Sequence, residues 1–429
     1  MNPGPTGDGA SADGAVPPGT RVALVHHWLV RRRGGERVLE AMSRALPGAD
    51  LFTLVHDPKR CPAPAEVARV VTSRLGRIPF GRKTFRAWLP LFPRLYAELD
   101  LSGHDLVVSS DASVAKAVTV PDGVPHLCYC YSPVRYAWDL RDVYLERGVP
   151  APLRPLARGV LEGLRKADAE AAGRVDAFVA ISAHVADRIR RAYGRDCAIV
   201  APPVDIEFFT PGKTSVETDV SPAERPYLLL GEAVPYKRFD LAVEACRRLD
   251  RPLIVAGGGP EFARLRKTAG PRTRFIPDPS DEQVRELYRG CRVLLFPGEE
   301  DFGLVPVEAM ACGRPVVAYG VGGAAETVLP GRTGVLYEQA GVDGLLEGME
   351  QFEQSEGAFD PSACVRRAAD YGPAAFHAGL ATALNGVLRQ RSAAPSTESG
   401  RRSGSHAASL RGAHPDDGSD QNANPASTR

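Results

Sequence analysis

The chain has 429 residues, 44% of them hydrophobic and 24% charged, with a formal net charge of +1. That length exceeds one ordinary core and fits two domains plus tails. The near-neutral balance excludes a general attraction to nucleic acid, so any charged surface must be a local patch. No apolar stretch reaches the roughly 18–20 residues of a membrane span. Residues 1–19 lack the basic start and apolar centre of a signal peptide. A cytosolic protein is the expectation. The eight cysteines are scattered, and the spacing of Cys128 and Cys130 matches neither a zinc knuckle nor a redox pair. They read as reduced core residues.

Taken in order, Met1–Thr20 reads as a disordered tail. Arg21–Val25 is the first strand. It runs through His26 and His27 to Gly34-Gly35, and Glu36–Leu46 carries the apolar stripe of a helix. Strand, Gly turn and helix suit a ligand loop, a plain tight turn being the alternative. No GxGxxG follows the strand, which argues against a nicotinamide cofactor. Strands follow at Leu51–Val55, Leu106–Ser109 and His126–Tyr131.

Between them, Arg74–Tyr96 holds Arg74, Arg77, Arg82, Lys83, Arg86 and Arg94 with no acid. Phe85, Trp88, Phe92 and Tyr96 fall near helical spacing, although Pro90 and Pro93 break a single helix. Such a stretch suits peripheral contact with an anionic membrane. The alternative is a helix packed on the sheet with a solvated basic face. Asp176–Ile181 is a strand, and Ser182 caps a helix Ala183–Tyr193 whose Arg188, Arg190 and Arg191 read as a solvated face. A short strand Ala198–Val200 ends the first domain, 21–203, and a linker spans 204–225.

The second domain, 226–372, opens with a strand at Tyr227–Leu230 and a helix at Phe239–Leu249. Strands at Pro252–Ala256 and Thr273–Ile276 lead to Pro277-Asp278 and a helix Asp281–Gly290. Val293–Phe296 is a buried strand, Pro297–Asp301 an acidic turn, and Val305–Cys312 a helix stopped by Gly313. Such loops lie at the carboxyl ends of parallel strands, where ligands bind. Gly303 permits close approach of backbone, and the helix N-terminus behind it suits a phosphate. Glu300 and Glu308 would repel that phosphate, so their natural partners are hydroxyls of a sugar or ribose. The alternative is two solvated acids. Residues 373–391 form a last helix, and 392–429 a disordered tail.

The segment EDFGLVPVEAMACGRPVVA, Glu300–Ala318, resembles the signature of family-four retaining glycosyltransferases. The likeness runs from about Val22 to Leu388. It implies an α/β GT-B fold, two Rossmann-like domains facing a cleft, with the C-terminal one holding a nucleotide sugar and the last helix crossing back. By this resemblance Glu300 meets donor-sugar hydroxyls and Glu308 the ribose, while Phe302, Gly303 and Leu304 lie along the sugar and diphosphate. Gly34 and Gly35 stand beside the diphosphate and acceptor. VPYKRFD matches the phosphate-clamping turn, which makes Lys237 the cation on the diphosphate. Glu232 stands where relatives have a second cation, an Arg. HLCYCYSPVRYAWD matches a further block through Arg135, but Tyr131 replaces the usual His near the donor sugar. Asp111, in SSDASVAKAV, falls in a loop that lines the cleft, and the nucleotide base lies near Asp278. The resemblance implies transfer of a hexose, in wording closest to mannosyltransferases of surface polysaccharide assembly. The acceptor is a glycan or lipid-linked sugar. No metal is required and no cofactor is expected beyond the donor. Tyr131 and Glu232 leave open a non-catalytic sugar-nucleotide binder, and the same fold also serves epimerases and phosphorylases.

Overall fold

Strand β1 (Val22–His26) is buried at all five positions, as expected where helices cover both faces of a parallel sheet. In the computed structural model it sits inside a seven-stranded parallel sheet with β2 (Asp50–Thr53), β3 (Arg69–Thr72), β4 (Leu106–Asp111), β5 (His126–Cys130), β6 (Ala177–Ala180) and β7 (Ala198–Ile199). The order is β3-β2-β1-β4-β5-β6-β7. A second parallel sheet repeats this winding with β8 (Tyr227–Glu232), β9 (Leu253–Gly258), β10 (Thr273–Pro277), β11 (Leu294–Phe296), β12 (Val316–Tyr319) and β13 (Gly334–Tyr337). Its order is β10-β9-β8-β11-β12-β13. Two such sheets make the GT-B fold. The strand order reverses between β1 and β4 and again between β8 and β11, and the crevices at those points are where such sheets bind ligands.

The structure describes residues 15–78, 80–139, 141–212 and 224–393. The disorder expected of 1–14 and 394–429, and the centre of the linker at 213–223, lie outside them. Described residues up to Ser392 belong to one compact unit. The last residues of the expected N-terminal tail form a turn instead: Thr20 donates to the Pro17 carbonyl, and Ala15 is buried.

The helices that place the site are α1 (Gly34–Ala45), α2 (Arg154–Ala172), α3 (Ala183–Tyr193), α4 (Phe239–Arg248), α5 (Asp281–Gly290), α6 (Leu304–Ala311) and α7 (Pro373–Ala393). Helix α7 sets Phe376 edge-on to Tyr129 of the first sheet, with ring centroids 5.8 Å apart. All eight cysteines are free and seven are buried. Residues 74–97 form several short turns of helix rather than one. Phe85, Phe92 and Tyr96 point into the core, so the expected aromatic stripe is split. Trp88 stays outside with Ile78, Phe80 and Leu91. Among the described residues no helix is long and apolar enough to cross a membrane.

Candidate active site

Gly303 ends the loop after β11 with φ +84°, a conformation that glycine reaches without a Cβ penalty. It starts α6, whose first residues, Leu304 and Val305, line the crevice; Pro306 in that turn gives up an N–H that would have had no partner within the helix. Opposite, the Gly34-Gly35 loop approaches so closely that a Cβ at Gly34 would stand 2.9 Å from Leu304 Cδ1. The two loops bound a cleft cavity of about 580 Å³. Gly34, Gly35, Tyr131, Arg135, Lys237, Glu300, Phe302, Gly303, Leu304 and Glu308 all line it.

Lys237 Nζ lies 3.0 Å from Glu300 Oε1. Burial works against the ammonium charge, but Glu300 outweighs it and holds the Lys237 pKa above its ordinary value. A cation and a carboxylate thus stand side by side, one suited to phosphate oxygens and the other to hydroxyls. Glu308 is buried at the middle of α6, its fifth residue of eight. It accepts from the Tyr288 hydroxyl at 2.8 Å and from Arg37 Nη1 at 3.1 Å. Burial raises its pKa, with Arg37 pulling the other way. The Tyr131 hydroxyl donates to the Gly35 carbonyl at 3.1 Å and lies 2.9 Å from Ser110 Oγ. Burial pushes this phenol well up, so it remains a neutral hydrogen-bonding group rather than a base.

Two expected contacts fall elsewhere. Asp111 does not line the cleft. Its carboxylate is fully buried beneath it, 2.9 Å from Lys116 Nζ, and accepts the backbone N–H groups of Ser113 and Ala115. Lys116 outweighs the burial penalty and keeps the Asp111 pKa low, so the group is a charged anchor for the loop after β4. Asp278 is exposed outside the cavity, where it pairs with Arg31 at 2.6 Å.

Arg188 also corrects the expected solvated face of α3. It is buried, with Nη1 2.5 Å from Asp301 Oδ1 and Nη2 2.6 Å from Asp139 Oδ2. Arg135 Nε donates to the other Asp301 oxygen at 2.8 Å, and its guanidinium lies over the Tyr236 ring. Asp301 from the second sheet therefore bridges two arginines of the first. Further arginines cross the same way: Arg33 to Glu232 at 2.8 Å and Arg37 to Asp281 at 2.5 Å. Glu232, which replaces the expected cation, thus has an arginine from the facing domain as its partner. The sequence signals were present in the run Arg31–Arg33 and in the third acid of EED, but pairing across the cleft could not be read from spacing.

His26, His27 and Glu36 gather below the Gly-Gly loop, each offering one ligand atom, all within 4.8 Å of one another. His26 Nε2 and His27 Nδ1 have no hydrogen-bond partner. Burial is the main cause that pushes both imidazoles down to about 3. An unfolded histidine titrates near 6.5, so the unfolded chain takes up these protons first. The stability due to the neutral rings is complete above about pH 6.5 and is lost as pH falls toward about 3. Thermal melts are expected to show Tm dropping as pH is lowered below about 6.5. His27→Asn should flatten that slope, and an unchanged slope would place the acid sensitivity elsewhere.

Residues 32–208 match Glycosyltransferase Family 4, and residues 217–370 match Glycosyl transferases group 1. The chain is 29% identical over 235 residues to the D-inositol 3-phosphate glycosyltransferase of Mycobacteroides abscessus, covering 51% of this chain and 52% of that protein. It is 35% identical over 214 residues to the protein of that name from Geodermatophilus obscurus, covering 43% and 46%. The chain thus spans about half the length of the curated relatives it matches. The crystal structure of Anabaena HepE in complex with UDP-glucose has the same fold, with a TM-score of 0.62 at 16% identity over 85% of this chain and 99% of that one. With a family-specific domain on each sheet and the cleft between them, the chain belongs to the family-4-like GT-B glycosyltransferases.

Proposed function

We propose that this protein moves a hexose, with mannose the first candidate, from a nucleotide diphosphate sugar to a glycan or lipid-linked acceptor, with retention at the anomeric carbon. The Lys237–Glu300 pair beside the α6 N-terminus carries this reading, because it offers a sugar diphosphate both of the groups it needs. Departure of the donor's diphosphate leaves negative charge. Lys237 and the N–H groups after Gly303 stabilise that charge where it develops. Glu300 holds the sugar hydroxyls so that the acceptor attacks from the leaving-group face, and Glu308 accepts from the ribose. Closure of the two domains excludes water and suppresses hydrolysis. In this reading the cation and the helix end do the work of a metal, and none is required. The protein acts in the cytoplasm, peripherally on the inner membrane face, with the 74–97 segment toward anionic lipid. The D-inositol 3-phosphate named for the relatives is a second acceptor to assay.

The test combines thermal shift and turnover. UDP or GDP should raise Tm by mass action, and the responding base identifies the donor. Glu300→Gln is expected to slow transfer about 10-fold to 100-fold and to weaken binding of the sugar nucleotide more than that of the bare nucleotide. Transfer should survive EDTA. Full activity in the variant with unchanged donor affinity would remove Glu300 from its role. Donor binding without turnover on any acceptor would favour the non-catalytic reading.

A further inference from the structure

A second cavity of about 530 Å³ lies beside the donor cleft in the first domain. Arg31, Arg33, Arg60, Arg82, Lys83 and Arg86 line it, against only Glu36 and Asp57. Arg31 and Arg33 are engaged by Asp278 and Glu232, and Glu36 is turned to the backbone N–H of Arg33. Arg60, Arg82 and Lys83 have no acidic partner among the described residues, and Arg86 lies over the Phe85 ring at 5.5 Å. Four cations thus stand near two acids whose side chains accept backbone N–H groups, Glu36 from Arg33 and Asp57 from Lys59. Clustering like charges without counterions costs free energy, which a multivalent anion would recover.

Three further observations narrow the ligand. Trp28 and Arg33 line both this cavity and the donor cleft, so an anion here sits next to the transferring centre. Trp28 and Phe85 pack with ring centroids 5.2 Å apart and both line the cavity, giving it an apolar part. The segment that supplies Arg82, Lys83 and Arg86 also exposes Ile78, Phe80, Trp88 and Leu91, with Phe80 74% exposed. Large apolar side chains standing in solvent on the segment that supplies the cavity's cations fit a molecule with a charged head and a hydrocarbon tail.

We propose that this cavity is the anion site of the acceptor, taking the phosphate or diphosphate that joins the acceptor sugar to a lipid. The proposal rests on the glycosyltransferase reading and adds the chemical class of acceptor. Arg82, Lys83 and Arg86 hold the head group, and the exposed apolar residues carry the start of the tail. Binding weakens with salt, as expected for partly exposed charges.

Calorimetry on the full chain with farnesyl diphosphate, inorganic pyrophosphate and farnesol tests this. Farnesyl diphosphate should bind tightest, pyrophosphate more weakly, and farnesol without measurable heat. In the variant R82A/K83A/R86A, binding of farnesyl diphosphate should weaken about tenfold or more. The Tm shift with UDP or GDP should stay as in the unmodified chain, showing that the variant is folded. Equal affinity in variant and parent would overturn the site. Equal affinity for pyrophosphate and farnesyl diphosphate would overturn the lipid assignment. Sedimentation with phosphatidylglycerol vesicles separates the remaining source: if the variant loses vesicles but keeps farnesyl diphosphate, the basic residues read a membrane surface and not an acceptor. A missing nucleotide shift in the parent would count against the glycosyltransferase reading alone.

Discussion

Replacing Lys237 with alanine is expected to slow sugar transfer about 10²–10³-fold at saturating donor, the usual loss for one preorganised charge-stabilising group. Lys237 is held by Glu300 at 3.0 Å, and its Nζ lies 3.3 Å from where a Cβ on Gly231 would stand. The ammonium therefore waits in place and needs little rearrangement when charge moves onto the diphosphate. The variant removes that charge and leaves Glu300 unpaired, which repels the leaving group further. Because the interaction strengthens as the bond breaks, kcat should fall more than donor affinity. Single-turnover rates with a circular-dichroism check of folding would measure this. Turnover within a few-fold of the parent would show that the cation lies away from the leaving group.

The second large effect is on stability. Lys116 is fully buried, with its Nζ 2.9 Å from Asp111 Oδ2 and 2.5 Å from Asp168 Oδ1. Asp168 also accepts from Trp138 Nε1 at 2.9 Å and from the Tyr193 hydroxyl at 2.7 Å. One cation thus pairs with two carboxylates and ties together β4 and α2, with α3 joined through Tyr193. Lys116→Met preserves the packing of the stem but leaves two buried carboxylates without a counterion. Urea unfolding should show a loss of about 3–5 kcal/mol. Adding Asp168→Asn should recover part of it, because one of the unpaired charges is then gone. A loss below about 1 kcal/mol would mean that water or another group reaches the acids.

Much of this fold was legible where local chemistry is strong. Helices Ala183–Tyr193 and Asp281–Gly290 have the bounds expected, since Ser182 and Ser280 cap them and the stripes are clear. The segment from β11 to β12 was equally plain, because glycines and apolar runs punctuate it. Strand β3 has little sequence signal: it is four residues at a sheet edge, with only Val70 and Val71 to suggest a strand. Helix α2 is masked in the sequence by the prolines at 150, 152 and 155 around its start. Errors at the site share one cause. Spacing points Arg188 to solvent because its partner Asp301 lies 113 positions away, in the loop after β11 of the other domain. The block that holds Asp111 borders the cleft and so points that residue into it. The D-x-S pattern, in which Asp111 takes the Ser113 N–H, was the local hint that the carboxylate folds back on its own loop.

Helix α3 does not finish its own beginning. Ser182 accepts the Val185 N–H at 3.1 Å, but the Ala183 and His184 N–H groups go to the two oxygens of Glu326, each at 2.8 Å, and Glu326 belongs to the other half. The Ser182 hydroxyl itself donates to the Asp301 carbonyl at 2.5 Å. Parting the halves would strip two donors from the first turn of α3 and release the arginine one turn further along. Any parting of the halves would therefore be felt as fraying at residue 183, which makes that residue a spectroscopic gauge of how wide the jaws stand.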